Sequence, residues 1–340
     1  MNLPRNLTTL VAAICFWAAY AQEAPLIWNI KALMPDGSTL DVKAFGADGK
    51  PNDVKALQRG DAHLMDIRAL VAGSELPLKV ISSDDAFLPV KAITADGKLM
   101  DVKAIAADGT KLDVKGIARS GHIIHIKAIG PDRELYGVKA ISPEGRMHDV
   151  KGVKMTEGPE EGLVNGVRVA AHIKALPQAL ATDDDFIWNV KAIAANGHSI
   201  PVKALDKNGG VYDVKAFMEN GDRWIMDIKA LIDGKKVPVE MLMSDDALIP
   251  VKAVAADGTI YDIKALAADG RRLDVKGTAQ DGNIIHLKTI DGDKQFGVKA
   301  ISRKGAQYDV KGLKFSTDEA EGLVGGAAVR AHIKAIPPLE

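Results

Sequence analysis

Residues 101–117 read DVKAIAADGTKLDVKGI and say nearly the same thing twice. Asp101-Val102-Lys103-Ala104-Ile105 returns twelve residues later as Asp113-Val114-Lys115-Gly116-Ile117, with Asp108-Gly109 between the copies. Val and Ile favour strands. Asp-Gly is a hairpin-turn signal, because the turn needs a residue tolerant of positive φ. The stretch therefore reads as two short strands joined by a tight turn. Working outward, 24 such units run from Lys31 to Lys334, each centred on a Lys or Arg except one, where Glu240 stands instead. Most steps are 12 residues; those from Lys151 to Lys174 and from Lys311 to Lys334 are 23. Glycine recurs six residues after the base, at Gly37, Gly49, Gly97, Gly109, Gly121, Gly197, Gly209 and Gly258.

A longer period lies above the short one. Lys31 to Lys191 and Lys174 to Lys334 are both 160 residues apart. The irregular stretches repeat with it: GLVNGVRVAAHIKAL (162–176) returns as GLVGGAAVRAHIKAI (322–336). Two tandem halves of stacked units are the signature of a repeat architecture. The expected organisation is residues 1–21 as a signal peptide, 22–181 as the first twelve-unit half and 182–340 as the second.

The fold class is all-β. In KLDVKGI the apolar residues Leu112, Val114 and Ile117 are spaced by two and then three. A flat strand keeps a step of two, so each unit is expected to hold a parity switch, either a bulge or a solenoid corner. One turn signal per twelve residues favours an antiparallel meander, closed as a propeller, sandwich or spiral. The alternative is a parallel β-solenoid. The meander sets Asp113 opposite Lys103, in a checkerboard of Asp–Lys pairs. Pro77, Pro89, Pro238 and Pro250 replace the unit Asp. Proline cannot donate to a ladder, so edge strands or bulges are expected there, with the sheet breaking or turning near these units.

The ends and the composition bound the function. Arg5, the apolar run Leu10–Trp17 and Ala19-Tyr20-Ala21 form an export signal with cleavage after Ala21. The chain is thus expected to be exported, to the periplasm or the extracellular space, with no stable membrane span after cleavage. Cys15 is the only cysteine and lies inside that signal, so no disulfide is expected. A net charge of −1 and 5% aromatic residues give no case for a nucleic-acid partner. An outer-membrane barrel is disfavoured by the sparse aromatics and by charge in nearly every strand.

Trp28-Asn29-Ile30-Lys31-Ala32, Trp188-Asn189-Val190-Lys191-Ala192 and the run of DVKA units carry a resemblance over nearly all of the chain after residue 21. The pattern resembles uncharacterised bacterial secreted proteins built from W-N-[VI]-K-A and D-V-K-A-I units. That resemblance implies a β-rich exported protein and brings no known activity, cofactor or catalytic residue.

No standard catalytic motif occurs. No catalytic residue, metal ligand or cofactor is assigned. The acidic loops Asp84-Asp85 and Asp245-Asp246 lack the alternating spacing of a calcium loop. Chemistry is sought where both halves depart from the unit in the same way. His125 and His286, and His172 and His332, replace the unit Asp, while Gly137 and Gly297 also lack it. Lys115, His125, Lys139 and His172, with Lys276, His286, Lys299 and His332 in the copy, form a candidate anion site. The competing reading has neutral histidines filling a strand face. The expected function is a non-enzymatic binding or structural module for an anionic glycan or a small phosphate-bearing anion. The alternative is a hydrolase acting on an anionic glycan or phosphoester. Sequence leaves the oligomeric state open.

Overall fold

A computed structural model describes residues 24–156, 158–179 and 186–339. The signal segment 1–21 and the boundary at 181 lie outside the described residues. Every regular element described is a strand: 26 strands in two sheets of 13, one sheet in each half. The pairing is antiparallel, so the solenoid is excluded. Each unit supplies one strand, and the long step in each half adds a short one, Gly162–Val164 and Gly322–Val324.

The turns follow from the Asp-Gly signal. Gly109 has φ +86°. Its N–H donates to the Ala106 carbonyl at 2.9 Å, and Ala106 N–H donates to the Thr110 carbonyl at 2.9 Å. The Asp108 carboxylate accepts the Thr110 N–H at 2.9 Å and fixes the loop. All eight glycines named above have positive φ.

The unit core holds no parity switch. Along Lys111–Ile117, Leu112, Val114 and Gly116 are buried while Asp113, Lys115 and Ile117 face outward in plain alternation. The register shifts only past the unit core, between Gly116 and Arg119, and likewise between Gly277 and Gln280 in the second half. The inward partner of Val is the small residue, not Ile. The crowding explains it: Val102 lies opposite Ala44, and Ala104 opposite Val42, so each large inward side chain meets a small one. Glycine replaces alanine where neighbours are bulkier. A Cβ on Gly152 would stand 3.0 Å from Val80 Cγ2 and 3.1 Å from Ile124 Cβ.

The meander closes in an unusual way. The strand Thr39–Phe45 begins paired to Leu26–Leu33 and ends paired to Pro51–Gln58, while its other edge pairs with Leu99–Ile105. Leu26–Leu33 also pairs with Pro51–Gln58, so three consecutive strands close a triangle. The first half holds four such triangles, here called rings 1–4. Their central bases are Lys31, Lys43 and Lys55 in ring 1, and Arg68, Lys79 and Lys174 in ring 2. Ring 3 has Lys91, Lys103 and Lys115, and ring 4 has Lys127, Lys139 and Lys151.

Six pairs of facing bases join the rings: Lys31–Lys139, Lys43–Lys103, Lys55–Arg68, Lys79–Lys91, Lys115–Lys127 and Lys151–Lys174. Each ring is therefore linked once to each other ring, the connectivity of a tetrahedron. All twelve unit strands have neighbours on both edges, so each half is a shell without an edge among them. The second half repeats this as rings 5–8, with Glu240 facing Lys252 where Lys79 faces Lys91.

The proline strands have neighbours on both edges, and the sheet turns at them. Pro77 lies opposite Arg68, and Pro89 opposite Lys115. The unit Asp position is the fork where one strand edge changes neighbour, and proline is accommodated at that interruption of the ladder. Val, Ala and Ile fill each shell, around Trp28 tilted against His148 in one and Trp188 edge-on to Tyr308 in the other.

The shells dock through an apolar patch of Leu64, Ile123, Val153 and Leu176 against Ile225, Ile284, Leu313 and Ile336. These are equivalent positions of the two halves, so the seam is pseudo-twofold. It is built on the link between rings 2 and 4, and on its copy between rings 6 and 8. The link between rings 1 and 3 is the opposite edge of the tetrahedron and faces away.

Candidate functional site

Strand alternation sends Asp and Lys outward, and the triangles gather them. Lys31 bonds Asp41 and Lys43 bonds Asp53; Lys91 bonds Asp101 and Lys103 bonds Asp113. Each lysine thus turns away from the lysine it faces and toward the Asp ten residues on. A complete ring would alternate three cations and three carboxylates. Asn29 takes the third place in ring 1 and accepts from Lys55 at 2.8 Å.

Ring 3 lacks its third carboxylate because Pro89 occupies that position. Lys115 makes no ion pair among the described residues. The ring surrounds an open depression of about 120 Å³, lined by Lys91, Lys103, Lys115, Asp101, Asp113 and Pro89. Ring 7 has the same pattern: Lys252 bonds Asp262, Lys264 bonds Asp274, and Lys276 faces Pro250.

The eight candidate residues do not converge on one site. Lys115 and Lys276 stand on the open rings 3 and 7. His125 and Lys139 stand on ring 4, His172 on ring 2, His286 and Lys299 on ring 8, and His332 on ring 6. Lys139 and Lys299 have carboxylate partners, Asp149 and Asp309. His125 lies 3.3 Å from the Lys151 ammonium and edge-on to Trp224 of the other half, with centroids 5.5 Å apart. Burial, then Lys79, pushes the His172 imidazole down to about 2. Burial, then neighbouring lysines, also lowers His125 and His286. All three shifts favour the neutral imidazole over the charged form. His332 meets Glu240 at 3.2 Å.

Solvent separates the two kinds of ring. The Asp101 and Asp113 side chains are 50% and 49% exposed, against 21% for Asp66, 11% for Asp149 and 9% for Asp227. The seam covers rings 2, 4, 6 and 8 and locks them with polar contacts. The His63 Nε2 meets Asp309 at 2.9 Å, and the equivalent Trp224 Nε1 donates to Asp149 at 2.9 Å. The His122 Nε2 meets Asp227 at 2.7 Å, and the equivalent Asn283 amide donates to Asp66 at 3.2 Å. Asp222 is fully buried and accepts the backbone N–H groups of His122, Trp224 and Ile225. Burial pushes its carboxyl up to about 6. Among the described residues no group of three or more His, Cys, Asp or Glu is placed to hold a metal ion.

Sequence reasoning missed these seam residues. Their signal was present in the stretched units GDAHLMDIRAL (60–70) and GDRWIMDIKAL (221–231), where the usual turn is replaced in both halves.

A family model described as a family of unknown function, DUF7486, matches residues 24–176 and again residues 184–336. The chain belongs to DUF7486. Each match falls on one thirteen-strand shell, so this chain carries the matched unit twice. No curated protein and no solved structure matches the chain.

Proposed function

We propose that the protein is a non-enzymatic binding module that captures an anionic group at Lys115 of ring 3 and Lys276 of ring 7. The observation that carries this reading is the missing carboxylate. Pro89 and Pro250 leave one lysine in each open ring unpaired, in a setting where two neighbouring lysines already hold carboxylates. A carboxylate or phosphate of a glycan, or a small phosphate-bearing anion, completes the alternation. Charge-assisted hydrogen bonds of this kind contribute about 1.5–3 kcal/mol each. The export signal of residues 1–21 supports a place outside the cytoplasm for this binding.

The test is calorimetric titration of the full chain with a short oligouronate and with inorganic phosphate. Two sites per chain are expected, weakening as salt screens the lysines. Pro89→Asp combined with Pro250→Asp supplies the protein's own carboxylates. That double variant should fold with unchanged melting temperature and lose binding by about tenfold or more. Equal binding by the double variant and the wild type would overturn the reading.

A further inference from the structure

We propose that Lys79 is a carbon dioxide acceptor, its side-chain amine adding dissolved CO2 to become a carbamate. The two halves carry the argument. Ring 6 contains Asp227, Pro238, His332, Lys334 and Glu240, with Lys252 facing Glu240. Ring 2 contains Asp66, Pro77, His172, Lys174 and Lys79, with Lys91 facing Lys79. One constellation thus surrounds a carboxylate in the second half and an amine in the first.

The amine has no direct counter-ion; the carboxylates of Asp66 and Glu161 act on it only from a distance. Among the described residues Lys79 makes no ion pair, and its partner is the His172 Nδ1. Asp66 is the carboxylate of ring 2, and it is taken by Lys174, by Arg68 at 2.7 Å and by Asn283 at 3.2 Å. Burial, then the nearby Lys174, pushes the Lys79 amine down to about 7. Much of it is therefore uncharged at neutral pH. A lysine that is desolvated or set beside another cation is an activated nucleophile.

The reaction balances without a redox partner. The Nζ lone pair forms a bond to the CO2 carbon, and one C=O electron pair moves onto oxygen. Nitrogen releases one proton to the buffer. The product, Nζ–COO⁻, is an anion beside Arg68 and Lys174 on the strand that faces Lys91. It gives ring 2 the second carboxylate that Glu240 gives ring 6. Favourable pairing with these cations stabilises the charged form. This inference is independent of anion capture at rings 3 and 7.

The experiment is carbon-13 NMR of the full chain equilibrated with labelled bicarbonate at neutral to mildly alkaline pH. A carbamate resonance is expected, lost on acidification and absent from both Lys79→Arg and Lys79→Glu. Lys79→Glu carries the residue of the second half, which keeps the test open if the arginine variant folds poorly. Bicarbonate at constant pH and ionic strength should raise the melting temperature of the wild type and leave that of Lys79→Glu unchanged. No carbamate signal in the wild type, or the same signal in Lys79→Glu, would overturn the proposal.

Discussion

Asp227→Ala is expected to destabilise the protein by about 3–5 kcal/mol, the usual range for leaving a buried charge unpaired. Asp227 lies in the seam with its side chain 9% exposed. It bonds Lys334, meets Lys229 at 3.0 Å and meets the His122 Nε2 at 2.7 Å. Burial alone would raise its carboxyl, but Lys334 and then His122 more than reverse that and hold it well below the usual carboxylate range. Removing it leaves Lys334 and His122 facing one another across the dock, while Lys229 keeps Glu219 at 2.9 Å. The contrast is Asp101→Ala on open ring 3. That carboxylate is half exposed, so the loss of its pair with Lys91 should change stability by only about 0–1 kcal/mol. Chemical denaturation of the full chain measures both. Similar effects for the two variants would contradict the division of the rings into covered and open.

The second large effect is the Asp222 share of the pH dependence, a contribution lost as pH rises from about 4 to above 7. Burial raises Asp222 from 3.8 to about 6, so the folded chain holds this proton more tightly than the unfolded chain. Its contribution is full below the unfolded value and is lost as pH climbs through about 6. The linked change is about 3 kcal/mol. His63 acts in the same direction. Burial pulls it down, but the bonds to Asp309 and Asp61 outweigh that and the net shift is upward. Its contribution is full below 6.5 and is lost as pH rises through the raised folded value.

Other groups titrate in and around this window. His172, lowered to about 2 by burial and then Lys79, and His125, His148 and His286, lowered first by burial, contribute the opposite slope inside it, because the unfolded chain holds their protons more tightly. Asp66, Asp227 and Asp309 are held below the usual range by their cations and lose their contribution as pH falls below about 4. Lys79, lowered by burial to about 7, and Lys151, lowered by burial to about 8, contribute the opposite slope at higher pH. Unfolding free energies across this range give the measurement. His63→Trp carries the residue of the second half and should remove the His63 share while leaving the Asp222 slope. Asp222→Asn isolates the Asp222 share: the unfolding free energy of the wild type minus that of Asp222→Asn should fall by about 3 kcal/mol from pH 4 to above 7, and a difference that does not change with pH would contradict this assignment.

Much of the shell was legible in DVKAIAADGTKLDVKGI. The turn at Gly109, the strand on either side and the pairing of Lys103 with Asp113 all follow from local chemistry. The 160-residue duplication gave the two halves. The inward face is hidden in the sequence because large apolar residues stand out there and the small ones that pack against them do not. In a shell this tight the inward partner of Val114 is Gly116, and Ile117 points out. The facing lysines, such as Lys43 and Lys103, were illegible because they lie 60 residues apart and no local rule places them together. The candidate site was legible only in part. The absence of Asp at position 89 is visible in the sequence, but that Pro89 stands opposite Lys115 is a fact of the ring. His125 and His172 were marked as unusual, yet their neighbours Trp224 and Phe315 come from the other half. Only the docked pair of shells shows that they are covered.

Lysine labelling of the native full chain, read residue by residue in a mass spectrometer, tests the central claim most directly. The claim is that each shell turns rings 1 and 3 to solvent and closes rings 2 and 4 against its twin. Lys31, Lys91 and Lys103 have side chains 25–30% exposed, whereas Lys151 is 10% and Lys174 is 3% exposed. The account predicts rapid labelling of Lys31, Lys91, Lys103 and Lys115, with Lys151, Lys174 and Lys334 protected until the chain unfolds. Uniform labelling of all these lysines, or faster labelling of Lys174 than of Lys103, would contradict it.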